Sequence, residues 1–225
     1  MRRLLPAIAF GILALGVTAA AAQTARPQAG FDCAKARGDL EITICSHADI
    51  AEADRAMSIA YNALISQSSS PEFVAAIKAD QRMFIAIRQE AWQVQRNRQM
   101  AVERLRDSTD LRAEWLNWVN PAPDEGMVGN WGNVWGGIKI SKAADGALQM
   151  SSDVADQVAG TWLCGYNGEL HEPAPQQAVG QTLAGDILLR HTGSLLEVTN
   201  DFCDETAPPI NGSMKGAYFR IGANE

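Results

Sequence analysis

The sequence predicts an α+β protein in which a disulfide-stapled antiparallel helical hairpin is followed by a small antiparallel β-barrel or sandwich. Two observations carry this. Glycine is almost absent between Gly38 and about residue 120 while apolar residues recur at helical spacing, and beyond residues 121–126 glycines and short alternating runs dominate. The four cysteines fall as two close pairs, Cys33 with Cys45 and Cys164 with Cys203, one pair on each side of that change.

The chain opens with Arg2 and Arg3, an apolar run over residues 4–17 and small residues at 19–22. This is the layout of a cleaved secretory signal, so residues 1–22 are read as a signal peptide. The apolar run is short of the ~20 residues that span a bilayer, and no later stretch is long and apolar enough. The first cysteine, Cys33, stands well past the cleavage point, so no lipid or membrane anchor is expected in the mature chain. Export to an oxidising compartment, a bacterial periplasm, makes cysteines pair. Four cysteines allow three connectivities, and the spacing favours a bridge within each half.

The helical part, residues 23–120, reads in pieces. Residues 39–45 form a short helix. Residues 48–66 carry Ile50, Ala53, Met57, Ala60, Tyr61 and Leu64 at three- and four-residue steps, one apolar stripe. Serines at 66 and 68–70 break it, and Pro71 suits the first turn of the next helix. A long pattern then runs through Phe73, Ile77, Phe84, Ile87, Trp92 and Val94 to Leu105, with a break expected near residues 108–110 before it resumes to Trp118. Two amphipathic helices joined by so short a loop should lie antiparallel. Pro121 and Pro123 block continuation, which marks residues 121–126 as an exposed linker.

The β part, residues 127–225, punctuates itself with Asp145-Gly146, Asn167-Gly168, Thr192-Gly193 and Asn211-Gly212. Runs over residues 137–141, 147–150, 161–166, 195–198 and 217–221 read as strands between those turns, an antiparallel hairpin-built sheet. Trp162, Cys164 and Tyr166 share a face from which Cys164 could reach Cys203. That bridge closes a loop worth ~3 to 4 kcal/mol in the chain-entropy model.

Formal charge is −7 for the whole chain and −9 without residues 1–22. Residues 23–120 carry 12 basic and 13 acidic side chains, residues 121–225 carry 5 and 13. So acidic a block repels phosphate backbones and anionic lipid heads and favours a cationic partner; nucleic acid is excluded as a partner class. His47, His171 and His191 are scattered and no CxxC or HxxxH spacing occurs, so neither a metal nor another cofactor is expected.

The opening Phe31-Asp32-Cys33-Ala34-Lys35-Ala36, then Glu41-Ile42-Thr43-Ile44-Cys45, then residues 49–55 with Tyr61 and Leu64, and finally Gln81-Arg82-Met83-Phe84 with Arg88, resemble the N-terminal domain of the LprI-type lysozyme-inhibitor family. The resemblance covers residues 31 to about 92. It implies a small disulfide-stapled helical hairpin in an exported protein, and a protein partner that is a cationic lysozyme or a related peptidoglycan hydrolase. Many such domains have a further cysteine where this chain reads Glu90-Ala91-Trp92, which leaves Cys33 only Cys45 within the domain. The polar residues it picks out are Asp54, Arg55, Gln81, Arg82 and Arg88, and a cross-helix pair Asp54–Arg82 is expected to lock the hairpin.

No GxSxG, HExxH or phosphate-cradling glycine loop occurs, and both bridges would leave no cysteine free to act as a nucleophile. Glu169 with Glu172, or Asp201 with Asp204, are the acidic pairs a glycosidase would need, without sign of the required separation. Trp131 and Trp135 could form a sugar platform, but tryptophan in a small β-domain is more often core. The reading is a non-enzymatic binding protein with Asp54, Arg82, Asp201, Asp204 and Glu205 as binding residues. The competing reading is a structural or interaction module of the cell envelope that inhibits no hydrolase.

Overall fold

A computed structural model describes residues 28–122, 126–201, 203 and 212–222. The signal-peptide assignment for residues 1–22 and part of the linker therefore lie outside the described residues. After a 3-10 turn at Cys33–Lys35 come α1 (Asp39–Ser46), α2 (Ala48–Gln67), α3 (Pro71–Val94) and α4 (Arg98–Trp118). Eight strands follow: β1 (Gly129–Asn133), β2 (Gly136–Lys142), β3 (Leu148–Ala155), β4 (Leu163–Ala174), β5 (Gln177–Thr182), β6 (Gly185–Thr192), β7 (Leu195–Asn200) and β8 (Gly216–Ile221). Each strand pairs antiparallel with its neighbour in sequence, and β1 pairs with β8 to close a barrel. The expected fold class, a stapled helical part followed by an antiparallel barrel, is the observed one.

Local chemistry sets the helix ends. Ser70 Oγ accepts the Phe73 N–H with Pro71 in the first turn, starting α3. The break expected near residues 108–110 lies instead at residues 95–97, where Asn97 Oδ1 accepts the Met100 N–H and starts α4. Thr109 stays helical because its buried hydroxyl donates to the Leu105 carbonyl, a bond that satisfies it inside the helix. Short connections on both sides of α3 make α2 and α4 parallel, and these two pack most closely. Ala51, Ala60, Ala101 and Ala113, all buried, let them approach.

The Cys33–Cys45 bridge, with Cα atoms 5.8 Å apart, ties the N-terminal segment to α1. The Cys164–Cys203 bridge, 6.0 Å between Cα atoms, ties β4 to the stretch after β7. Inward residues alternate along the strands as the pleat requires: Ile138 and Ile140, Leu148 and Met150, Cys164, Tyr166 and Leu170, Ile187 and Leu189, Leu196 and Val198.

Asn167-Gly168, read as a turn, lies in the middle of β4, paired with Ser151 and Met150. Gly168 serves packing there: a Cβ on it would lie 2.8 Å from Tyr166 Oη, and one on Gly180 would lie 2.7 Å from Tyr166 Cζ. The Tyr166 ring covers both glycines and its hydroxyl donates to the Glu169 carbonyl. Asp145-Gly146 and Thr192-Gly193 do connect strands, β2 to β3 and β6 to β7.

The helical and β parts share a core. Tyr218 of β8 points into the barrel, while its neighbour Phe219 points out and is wholly buried among helical residues. Phe219 meets Phe73 and Trp115 edge-on, with ring centroids 5.4 and 5.8 Å away. The chain leaving α4 adds a bridge from Val119 to Ile221, and Asn120 N–H donates to the Arg220 carbonyl at 2.9 Å. Contacts across the linker are therefore many, where an exposed connector implied few.

Candidate functional site

The polar residues that the family resemblance singled out are mostly internal. On α3 the apolar stripe runs Phe73, Ile77, Phe84, Trp92, and Gln81 and Arg88 occupy positions within the same stripe. They are buried for that reason and must find partners. Arg88 Nη1 donates to Asp54 Oδ1 at 2.8 Å, and Asp54 Oδ2 accepts the Gly30 N–H at 3.0 Å. One carboxylate therefore joins α2, α3 and the N-terminal segment. The expected Asp54–Arg82 pair is not formed: Arg82 is exposed on another face of α3, and so is Arg55 on α2. Asp54 is 2% exposed, so its carboxylate is spent on architecture and is not presented to a partner.

A second buried pair was not singled out from the sequence. Arg112 of α4 donates through Nη2 to Asp80 Oδ2 at 2.6 Å and through Nε to Gln81 Oε1 at 2.9 Å. The Arg112 guanidinium also stacks 4.3 Å above the Trp115 ring. Burial lowers its pKa and the Asp80 charge opposes that. Asp80 Oδ1 accepts the Val134 N–H at 2.9 Å, so the pair reaches from the helices to the β1–β2 turn. The signal for it was available: Arg112 falls in the α4 stripe Ala101, Leu105, Thr109, Leu116.

Of the acids named on the barrel, Asp204 and Glu205 lie outside the described residues. Asp201 is buried, and its carboxylate accepts from the Cys203, Met214 and Lys215 N–H groups and from the Ser213 hydroxyl, at 2.7 to 3.0 Å. It clamps both ends of the segment that carries Asp204 and Glu205 and is not a surface acid. The only group of potential metal ligands found among the described residues is Cys164, Asp201 and Cys203. The two sulfurs are bonded to each other and the carboxylate is taken by backbone donors, so this group does not fit a metal.

Trp131 is core, 1% exposed, its indole donating to the Met127 carbonyl at 2.7 Å. Trp135 is half-buried against Trp162, ring centroids 5.6 Å apart. Neither forms the sugar platform weighed from sequence. Beside Trp131 stands His191, buried in the barrel with ring centroids 5.6 Å apart, and the Arg220 guanidinium lies 4.6 Å over the same indole.

Burial pushes the His191 pKa below its usual 6.5, opposed in part by the Gly193 backbone. The folded state thus favours the neutral ring, its contribution is complete above about pH 6.5, and it is lost as pH falls below that value. Chemical denaturation between pH 8 and 5 should show stability falling below about 6.5, and His191→Phe should flatten that slope. An unchanged slope would assign the effect to other groups.

On the outside of the helical part, α3 and α4 stand apart from each other over a groove of about 570 Å³ that also touches the β1–β2 turn and Gln157. Its walls are mainly apolar, with Leu111 and Trp118 exposed at the rim.

No curated protein and no solved structure matches the chain. Residues 33–120, which hold all four helices, match the family model described as lysozyme inhibitor LprI, so the likeness extends through α4 to the threshold of the barrel.

Proposed function

We propose that this is an exported, periplasmic, non-enzymatic binding protein that inhibits lysozyme or a related peptidoglycan hydrolase. The observation that carries the reading is the match of the whole helical part to the LprI family model. The proposed organisation is a signal peptide at 1–22, an LprI-like domain at 23–120, a linker at 121–126 and an acidic barrel at 127–225. No helix among the described residues is long and apolar enough to cross a membrane.

The excess acid of the barrel part supports a cationic partner, since opposite fields steer encounter. Asp204 and Glu205 are the proposed contact acids, set on a segment whose ends Asp201 fixes. Arg82, exposed on α3, is the proposed contact from the helical part.

The mature protein should slow a cationic lysozyme at micromolar concentration and low salt. Asp204→Asn with Glu205→Gln should weaken this chiefly through a slower on-rate, and added salt should weaken it too, because screening acts over ~10 Å at 0.1 M. No inhibition at low salt would remove the hydrolase reading in favour of an envelope-interaction module. The exposed apolar groove supports that second reading.

A further inference from the structure

The surface of α4 carries more apolar area than its own core needs. One stripe, Ala101, Leu105, Ala113 and Leu116, is buried against the other helices. A second stripe, Leu111, Trp115 and Trp118, spaced four and three residues apart, faces the groove. Leu111 is 64% and Trp118 56% exposed, so the bundle does not use most of their area. The opposite wall is built by Phe84, Ile87 and Trp92 of α3. Large apolar side chains concentrated along an open groove mark an interaction surface more often than chance exposure does.

Charge along the groove is graded. Residues 96–106 hold Arg96, Arg98, Arg104 and Arg106 against a single acid, Glu103, a local inversion in a chain of net charge −7. Arg98 pairs with Asp39, and Arg106 with Asp49 and Asp107. Arg96 and Arg104 are exposed and make no ion pair among the described residues, and Arg104 lines the groove. Two acids line the groove, Asp107, which is paired with Arg106, and Glu114 nearer the barrel.

We propose that the α3–α4 groove docks an amphipathic helical segment of a protein partner, apolar on one face and bearing carboxylates at the end that meets Arg104. The stretch from Arg104 to Trp118 rises about 21 Å at 1.5 Å per residue, room for roughly four turns of a bound helix. Apolar anchors at helical spacing would fill the space between the two tryptophan-bearing walls, the helix-in-groove mode of recognition. A cationic hydrolase does not fit this end of the molecule, so the groove serves a second partner and does not rest on hydrolase inhibition.

The test uses the full mature protein and two fluorescent 14-residue amphipathic peptides with identical leucine and alanine positions, one with glutamates and one with lysines on the polar face. The glutamate peptide should bind at least tenfold more tightly by anisotropy, and Arg104→Glu should abolish or reverse that preference. Leu111→Gln with Trp118→Gln should weaken binding at least tenfold without lowering the thermal midpoint, because both side chains are exposed. Lysozyme inhibition, if present, should be unchanged in these variants, which separates failure of this proposal from failure of the hydrolase reading. Equal binding of the two peptides, binding of neither, or insensitivity to the double variant overturns the proposal. So does a self-association seen by sedimentation in the parent protein and absent from the double variant, which would assign the groove to a second copy.

Discussion

Asp54→Ala should cost about 3 to 5 kcal/mol, the usual penalty for leaving one partner of a buried ion pair alone. The substitution strands the Arg88 guanidinium, whose side chain is 8% exposed, and removes the acceptor of the Gly30 N–H. It also unties the N-terminal segment, which Cys33–Cys45 then holds to α1 without help from α2. Urea unfolding followed at 222 nm reads the loss as a lower midpoint with little change in slope. Pairing Asp54→Leu with Arg88→Met should recover much of it, because an apolar pair of similar volume spares the desolvation of two charges. A single variant within 1 kcal/mol of the parent would show that the pair does not hold the helices together.

That pair also shows what the sequence could and could not convey. The residues were legible: Asp54, Gln81 and Arg88 were all picked out as a polar set. The partner was legible in principle, because Phe73, Ile77, Gln81, Phe84 and Arg88 follow one stripe of α3 while Arg82 lies off it. The periodicity that locates the helix also places Arg88, and not Arg82, opposite Asp54. Arg112 and Thr109 were missed for a related reason: polar residues on an apolar stripe read as a broken helix, when each instead finds a buried partner.

On the barrel, alternation exposed five of the eight strands. β1, whose sequence is Gly-Asn-Trp-Gly-Asn, surrounds Trp131 with turn residues, and its place is set by pairing with β2 and β8 across the chain. β5 and β6 carry clear burial alternation in the fold, yet Gly180 and His191 sit at inward positions and blur it in the sequence. Asn167-Gly168 misled because a glycine demanded by the Tyr166 ring looks the same as a glycine demanded by a turn. Asp201 misled in the same way, since a carboxylate gathering four donors is indistinguishable in sequence from one of an exposed acid run.

The least legible feature is the joint between the two parts, and it carries the other large expected effect. Phe219 lies on a barrel strand but fills a space bounded by Phe73 of α3 and Trp115 of α4. Phe219→Ala should therefore cost about 3 to 5 kcal/mol, the range for removing a buried aromatic side chain. The loss should appear in both halves. In the parent protein, helical ellipticity at 222 nm and the hydrogen-exchange protection of barrel amides should be lost together, since a shared core couples the two parts. In the variant the two probes should separate, because what remains at the joint is the packing of Val134 and Leu195 at the edge of the helical core, the Asp80 bond to Val134 and the backbone pairing of residues 118–120 with 220–222. Tyr218→Phe provides the internal comparison: it removes the hydroxyl bond to the Met214 carbonyl inside the barrel, costs about 1 kcal/mol as a single hydrogen bond does, and should leave the probes coincident. If Phe219→Ala lowers the midpoint no more than Tyr218→Phe, or both probes stay coincident in it, the helical part and the barrel are joined by something other than this side chain.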